Sequence, residues 1–305
     1  MNVLSAVSAV LVAVLMHAGE RAVAQSRTGM VSVAGVPLQY VREGQGQAVV
    51  AIGSAIYYPK AYSEALRRQL DLTFPDSRHF VPSYQPPQDE LARLSLDTFA
   101  DDLDAVRRQL GIARWAVIGH SIHAQIAIAY ARKYPERTTH LVIVAGVPHR
   151  GSGASADSFF KADASAERKA ALVEGTRGLD SILAATPAPR RFAVGYQHRA
   201  ALYFADPHYD ATRLLEGLES GPAFARLQAV TLSREQVRQV LQEIKVPVLV
   251  VLGRLDYAVP YYTWPQLVEG LPNVTLRVLD TDSHNPQTEA PQRFDPILLG
   301  FLTKK

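Results

Sequence analysis

Three residues have the types and the chain order of a nucleophilic catalytic set: Ser121, Asp256 and His284. A serine hydroxyl is a weak nucleophile at its own pKa, so it needs a base within hydrogen-bond reach and a third group that orients the base. Each of the three residues follows a short apolar run of strand length. We therefore predict Ser121 as the nucleophile, His284 as the base and Asp256 as the orienting acid.

Ser121 lies at a predicted change from strand to helix. The run 115–118 is apolar, and the segment 122–133 is apolar almost all round, which is typical of a helix buried against a sheet. Gly119 suits the close backbone approach that a sharp turn requires. A Gly-x-Ser triplet alone is a weak signal, but this context predicts a turn that exposes the hydroxyl above the sheet edge.

The choice of acid depends on which predicted strands are followed by a carboxylate. Asp256 stands on the loop after the run 246–252, whereas the segment after 139–145 has no carboxylate before Asp157. Ligands gather at the carboxyl ends of the strands in open α/β sheets, and this favours Asp256. Asp282, close to the predicted base, is the alternative acid.

A serine that attacks a carbonyl also needs hydrogen-bond donors for the oxyanion that forms. The backbone N–H of Ile122, directly after the nucleophile, is the predicted first donor. Ser54 lies in a segment of small residues and is the predicted second donor, also through its backbone. His123, two residues after the nucleophile, is a candidate substrate contact.

The sequence predicts neither a metal site nor a cofactor site. The chain has no cysteine, which excludes disulfides, thiolate ligands and cysteine nucleophiles. His120 and His123 flank Ser121, but no carboxylate lies near them in sequence, so we do not interpret them as a metal pair. Gly44 and Gly46 lie between two predicted strands with no helix following, which predicts a hairpin turn rather than a phosphate loop.

Apolar runs of strand length alternate with helical patterns from residue 30 onward. This alternation predicts an α/β fold, with a mostly parallel sheet and helices on both faces. The predicted strands are 31–33, 38–41, 48–52, 79–84, 115–118, 139–145, 246–252 and 274–279. The predicted helices are 61–70, 95–110, 122–133 and 291–302.

The region after Pro148 carries helical stretches, charges and aromatic residues, but no run typical of a central strand. We predict one core, residues 25–148 and 240–305, with an inserted helical cap over residues 149–239. Four aromatic side chains of the insertion either line a pocket or form its own small core. They are Tyr196, Tyr203, Phe204 and Tyr209.

The N-terminal residues have the order of a secretory signal peptide. An uncharged apolar stretch over residues 3–16 is followed by polar residues and then by Ala22-Val23-Ala24. We predict a signal peptide over residues 1–24, although no Lys or Arg precedes the apolar stretch. The stretch is too short for a membrane span, which needs about 20 residues. The predicted location is periplasmic or secreted, with cytoplasmic as the alternative.

Charge and composition are those of a soluble globular protein that is long enough to be an enzyme. The chain has 305 residues, 48% of them apolar and 20% charged, which fits one sizeable core. Its net charge of +3 comes from 32 basic and 29 acidic residues without a long basic run. This distribution predicts no nucleic-acid partner. The predicted triad implies a small-molecule substrate.

Taken together, these features resemble the α/β-hydrolase superfamily over nearly the whole mature length. Three segments are also similar to the capped hydrolases grouped near proline iminopeptidases: Gly119-His120-Ser121-Ile122-His123, Asp163-Ala164-Ser165-Ala166-Glu167-Arg168-Lys169 and Gly253-Arg254-Leu255-Asp256. The resemblance implies cofactor-free hydrolysis through an acyl-enzyme, with Ser121, Asp256 and His284 as the triad.

Two positions depart from the pattern of that superfamily. The elbow around the nucleophile usually ends in glycine, where this chain has His123, and the early loop usually begins His-Gly, where this chain has Ile52-Gly53. Neither change removes a catalytic group. Both indicate a site shaped differently from that of the common esterases.

Three functions remain open from the sequence. The leading prediction is hydrolysis of a small ester, lactone or amide. The second is a proline iminopeptidase-like aminopeptidase, which needs carboxylates in the cap to hold a substrate amine; the candidates are Glu167, Glu174, Asp206 and Glu216. The third, from another class, is a non-catalytic ligand-binding protein on a hydrolase fold.

Overall fold

The computed structural model describes residues 26–303. The predicted signal peptide, residues 1–24, lies outside the described residues. Within them, no helix combines the length and the apolar character needed to cross a bilayer.

An eight-stranded sheet forms the centre of the described chain, in the order β1-β2-β4-β3-β5-β6-β7-β8. The strands are β1 Arg27–Val33, β2 Val36–Glu43, β3 Gln47–Ala51, β4 Leu70–Pro75, β5 Trp115–His120, β6 Thr138–Val144, β7 Val248–Gly253 and β8 Val274–Leu279. Only the pairs β1–β2 and β2–β4 are antiparallel. The predicted α/β fold with a mostly parallel sheet is confirmed.

The helices between residues 26 and 303 cover the sheet and form most of the insertion between β6 and β7. They are α1 Tyr58–Ala61, α2 Glu64–Arg67, α3 Gln88–Arg93, α4 Leu96–Gln109, α5 His123–Lys133, α6 Gly153–Asp163, α7 Ala166–Gly175, α8 Leu179–Ala185, α9 Arg191–His198, α10 Ala200–Tyr203, α11 Thr212–Leu215, α12 Ala223–Ala229, α13 Arg234–Glu243, α14 Pro265–Val268, α15 Pro286–Glu289 and α16 Pro291–Leu302. Short 3₁₀ turns lie at Arg78–Phe80, Pro135–Arg137, Ala188–Arg190 and Tyr261–Thr263.

The central strands are buried on both faces, which explains why their sequences are continuously apolar rather than alternating. Neighbouring residues of β5 show the arrangement. Ile118 packs into one apolar cluster with residues of α2 and α16, and Val117 packs into another with residues of α4 and α5. The carboxyl ends of the parallel strands therefore meet at one edge, between two layers of helices.

The predicted strand 79–84 and the predicted helix 61–70 are wrong. The strand is β4, which ends at Pro75, and a 3₁₀ turn occupies Arg78–Phe80. Two short helices replace the predicted one, because Ser63 caps a new helix by accepting a hydrogen bond from the backbone N–H of Leu66.

The predicted hairpin at Gly44 and Gly46 is also wrong. β2 and β3 are not neighbours, since β4 lies between them. A Cβ at Gly44 would lie 2.2 Å from the carbonyl oxygens of Arg67 and Leu70. Glycine is therefore required here because this connection crosses closely over the start of β4.

The insertion between β6 and β7 consists of helices and connecting turns in the described chain, as the sequence predicts. Helix α13 crosses the predicted boundary at residue 240, and its Val237 and Leu241 share an apolar cluster with α5. This helix therefore packs on the sheet layer. The division into core and cap stays a prediction.

Candidate active site

Ser121 lies on a sharp turn between β5 and α5. Its φ is +54, a left-handed conformation that costs a non-glycine residue roughly 1–3 kcal/mol. The surrounding backbone holds this turn, since the Ser121 N–H donates to the Val144 carbonyl at 3.0 Å. A Cβ at Gly119 would lie only 2.6 Å from Ala124 Cα, so glycine is needed for the close approach. Ser121 lines a cavity.

His284 and Asp256 form a buried pair. His284 Nδ1 lies 2.8 Å from Asp256 Oδ2, and their side chains are 2% and 1% exposed. The other carboxylate oxygen accepts the backbone N–H groups of Ala258 at 2.9 Å and Val259 at 2.7 Å. A carboxylate only accepts, so Nδ1 carries the proton and Nε2 is left as the basic nitrogen. His284 lines the same cavity as Ser121.

The alternative acid, Asp282, has a different partner. Both of its carboxylate oxygens accept from the guanidinium of Arg293, at 3.0 Å from Nε and 2.6 Å from Nη2. Asp282 thus fixes the start of α16, and Asp256 is the carboxylate beside the imidazole of His284.

The two predicted oxyanion donors both line the cavity. Within residues 26–303, the backbone N–H groups of Ser54 and Ile122 have no hydrogen-bond acceptor in the protein. The Ser54 hydroxyl shapes the loop instead, because its oxygen accepts from Ile56 N at 3.0 Å and Tyr57 N at 3.2 Å. Both amides are available to a ligand.

Asp76, which sequence reasoning missed, supports the loop that carries Ser54. Its carboxylate accepts the backbone N–H of Ala55 at 2.8 Å, and the adjacent Ser77 N–H donates to Gly53 O at 2.8 Å. Burial raises the pKa of the Asp76 carboxyl to about 7. The signal for this residue is a carboxylate directly after a strand, and it was hidden because the strand was predicted at 79–84 rather than at Leu70–Pro75.

His123 is buried between the cavity and a neighbouring histidine. Its Nε2 lies 3.0 Å from His79 Nε2, and its Nδ1 lies 2.9 Å from the Tyr58 hydroxyl. A Cβ at Gly53 would lie 2.7 Å from the His123 ring. Glycine at position 53 therefore leaves room for the imidazole at position 123, which is the departure from the superfamily pattern at the elbow.

His120 contacts the backbone of the loop that carries His284. Its Nε2 lies 2.8 Å from the His284 carbonyl oxygen. Burial lowers the pKa of His120 and His79 well below the ordinary value and lowers that of His123 to about 4. In the described chain, no three His, Cys, Asp or Glu side chains are grouped so that they could hold a metal ion.

The cavity beside Ser121 has a volume of about 240 Å³, and aromatic and apolar side chains form most of its wall. Of the four aromatic residues of the insertion, Tyr196 and Tyr203 line the cavity, whereas Phe204 stacks on Tyr209 away from it. The first pair therefore lines a pocket, and the second pair packs together within the insertion, so each of the two predicted roles applies to one pair. Among the described residues, no Asp, Glu, Lys or Arg lines the cavity.

Asn285, also missed from the sequence, connects this wall to the loop that carries His284. Its amide nitrogen donates to the Tyr196 hydroxyl at 2.8 Å, and its amide oxygen accepts from the Tyr57 hydroxyl at 2.8 Å. Glu289 accepts the backbone N–H of Asn285 at 3.0 Å and also contacts the Ala205 N–H of the insertion. The insertion is therefore hydrogen-bonded to the histidine loop.

Comparison with known proteins identifies the family of this chain. Residues 52–291 match the family model of the alpha/beta hydrolase fold. The chain belongs to the alpha/beta hydrolase family. The AB hydrolase superfamily protein YclE of Bacillus subtilis (strain 168) is 30% identical to this hydrolase over 282 residues, which cover 90% of this chain and 99% of YclE.

Two further proteins resemble this hydrolase. The 2-hydroxy-6-oxononadienedioate/2-hydroxy-6-oxononatrienedioate hydrolase of Paraburkholderia phymatum (strain DSM 17167 / CIP 108236 / LMG 21445 / STM815) is 29% identical over 213 residues, 68% of each chain. The structure of an alpha/beta fold family hydrolase from Bacillus anthracis str. Sterne superposes with a TM-score of 0.67 at 18% identity. It covers 90% of this chain and 99% of that one, and it supports the fold alone.

Proposed function

We propose that this hydrolase cleaves a small, uncharged carboxylic ester or lactone through an acyl-enzyme on Ser121. The observation that carries the proposal is the buried pair of Asp256 and His284, 2.8 Å apart, on the cavity that Ser121 also lines. A serine on a strained turn and a base of defined tautomer are the two parts that nucleophilic catalysis needs.

The proposed reaction has two halves. His284 Nε2 takes the hydroxyl proton as Ser121 Oγ attacks the carbonyl carbon, and it then gives the proton to the leaving alkoxide. Water attacks the acyl-enzyme with the same histidine as base, which releases the acid and restores the serine. The backbone N–H groups of Ser54 and Ile122 stabilise the oxyanion of each tetrahedral intermediate. Asp256 accepts the Nδ1–H of His284 and stabilises the imidazolium that forms.

The composition of the cavity supports an uncharged acyl group. Desolvating a carboxylate without a cation is costly, and no Lys or Arg among the described residues lines the cavity. The relative from Paraburkholderia is named for a dioate, a substrate with two carboxylates. A volume of about 240 Å³ lies below the usual range for drug-sized ligands, roughly 300–1,000 Å³. We therefore propose a short acyl group rather than a dicarboxylate.

The aminopeptidase alternative has less support. It needs a carboxylate beside the substrate amine, but Glu167, Glu174, Asp206 and Glu216 all lie outside the cavity wall. The test is hydrolysis of p-nitrophenyl esters of graded acyl length, beside aminoacyl-p-nitroanilides. We expect turnover of the short esters, and faster turnover of the anilides would contradict the proposal.

A single substitution tests the role of Ser121. Ser121→Ala should lower kcat by about 10⁴-fold or more, whereas the control Ser158→Ala, at an exposed serine, should leave it unchanged. A fluorophosphonate probe should label the unmodified protein and not Ser121→Ala. An unmodified protein that takes no label and turns over no ester would instead be the non-catalytic binding protein.

We also propose that the chain is exported by a signal peptide over residues 1–24. Expression with a C-terminal tag in a bacterial host, followed by N-terminal sequencing of the periplasmic fraction, should give a mature protein beginning at Gln25. Intact protein in the cytoplasm alone would favour the cytoplasmic alternative.

A further inference from the structure

Four buried side chains outside the proposed triad form a continuous hydrogen-bonded line, here called the histidine–tyrosine line: His79, His123, Tyr58 and His120. The contacts in this order are 3.0 Å between the two Nε2 atoms, 2.9 Å from His123 Nδ1 to the Tyr58 hydroxyl, and 3.2 Å from that hydroxyl to His120 Nδ1. The line ends at the carbonyl oxygen of His284, 2.8 Å from His120 Nε2. None of the four is more than 5% exposed.

Two backbone carbonyls fix where the protons of the line are. His120 Nε2 faces the His284 carbonyl, and His123 Nδ1 faces the His120 carbonyl at 3.2 Å. A carbonyl oxygen only accepts, so each of these nitrogens carries a proton. A neutral imidazole has one N–H, and burial holds both rings neutral. The second nitrogen of each ring is therefore a bare acceptor.

Every other hydrogen bond of the line then has one allowed direction. The Tyr58 hydroxyl donates to His120 Nδ1 and accepts from His123 Nδ1–H, because each nitrogen has only that role left. His123 Nε2 is an acceptor, so His79 donates to it through Nε2–H. His79 Nδ1 is left as the bare end, and it is buried without a partner in the described chain. The His284 carbonyl, through His120, requires that the Tyr58 hydroxyl donates to His120. The His120 carbonyl, through His123, requires that this hydroxyl accepts from His123, which is the same direction.

The line connects the three loops that the proposed reaction uses. His120 and His123 flank Ser121, and Tyr58 begins the helix after the oxyanion loop, with its N–H 3.3 Å from the Ser54 carbonyl. We infer that the histidine–tyrosine line is a directed hydrogen-bond line that positions the backbone of His284 relative to Ser121 and the oxyanion loop, with Tyr58 as its central positioning residue. The inference rests on the proposed hydrolase function.

Removing one hydroxyl tests the role of Tyr58. Tyr58→Phe keeps the ring but breaks both central hydrogen bonds, so kcat for a short p-nitrophenyl ester should fall by roughly tenfold to a hundredfold, with KM little changed. The matched control is Tyr62→Phe, because the Tyr62 hydroxyl is also buried but has no hydrogen-bond partner among residues 26–303. This control should keep its kcat, and a kcat for Tyr58→Phe equal to that of Tyr62→Phe would overturn the inference.

A pair of substitutions at His120 separates positioning from simple space filling and serves if Tyr58→Phe does not fold. In His120→Gln the amide nitrogen reaches the position of Nε2 and can donate to the His284 carbonyl. In His120→Asn the shorter side chain reaches only the position of Nδ1. We expect His120→Gln to retain several-fold more kcat than His120→Asn, and the reverse order would contradict the inference.

The proton positions can be measured without any substrate. Nitrogen-15 spectra of histidine-labelled protein at neutral pH should show the Nε2–H tautomer for His79 and His120 and the Nδ1–H tautomer for His123. An active enzyme with His123 in the other tautomer or charged would overturn the line while the proposed function stands. A protein with these tautomers but no hydrolysis would overturn the proposed function instead.

Discussion

Asp256 is held from three directions by the imidazole of His284 and two backbone N–H groups. Asp256→Asn keeps the shape but puts a donor where an acceptor is needed. His284 must then accept at Nδ1, so its proton moves to Nε2, where a base should be free. We expect kcat to fall by about 10⁴-fold at neutral pH, as measured by steady-state ester hydrolysis.

The control for this prediction is Asp282→Asn. Asp282 is buried and close in sequence, but its carboxylate pairs with Arg293 rather than with His284. We expect it to lower stability and to keep kcat. A loss of kcat as large as that of Asp256→Asn would mean that the orienting acid is misassigned.

At the residue scale, the pairing of Asp256 with His284 could be predicted because residue type and chain order carry the information. The parallel strands bring their carboxyl ends to one edge, so Asp256 and His284 meet there. Tyr58 and His79 could not be found in this way. Their partners lie 44 to 65 positions away, and no pattern marks a tyrosine that will lie between two imidazoles.

At the element scale, the loop after β3 meets the start of α5 at Gly53 and His123. A Cβ at Gly53, where φ is +141, would lie 2.5 Å from the Tyr58 ring and 2.7 Å from the His123 ring. Gly53→Ala therefore combines backbone strain with overlap. We expect the free energy of unfolding in urea to fall by roughly 2–4 kcal/mol.

Gly35→Ala is the matched control, since φ is +80 there but no atom lies within 4 Å of the added Cβ. It should cost roughly 1 kcal/mol from strain alone. Adding His123→Gly to Gly53→Ala should recover part of the loss. Equal losses at Gly53 and Gly35, or no recovery, would contradict the packing explanation.

The elements that sequence reasoning missed are short and ambiguous. Leu70, Leu72 and Phe74 of β4 alternate with a period of two, but six residues are too few to separate this from a helical pattern. The sequence of the 3₁₀ turn at Arg78–Phe80 was predicted as part of a strand because Phe80 is apolar. Phe80 packs against aromatic residues of the insertion, such as Phe192.

At the scale of the whole molecule, three buried neutral histidines make stability depend on pH. The pKa values of His79 and His120 lie well below the ordinary value of 6.5, and that of His123 is about 4. Below pH 6.5 these histidines are protonated in the unfolded chain, whereas in the folded chain they stay neutral. Each histidine therefore lowers the free energy of unfolding by roughly 1.4 kcal/mol per pH unit as the pH falls.

Buried carboxyls act in the opposite sense, because the pKa values of Asp76 and Glu289 are raised to about 7 and their contribution to stability falls as the pH rises toward 7. Comparison with His79→Phe cancels their effect. As the pH falls from 6.5 to 5, the free energy of unfolding should fall more steeply for the unmodified chain than for the variant. The difference in slope should be roughly 1.4 kcal/mol per pH unit, the contribution of one histidine. Parallel curves in urea titrations would contradict the prediction.

The strained turn at Ser121 has a consequence for the energy of the native state. Glycine adopts the observed φ of +54 freely and alanine does not, so Ser121→Gly should be more stable than Ser121→Ala by roughly 1 kcal/mol. Urea unfolding of the two inactive variants measures this difference, and equal midpoints would argue against strain. The serine that gives the molecule its proposed activity thus keeps it below the stability that the same scaffold could reach without it.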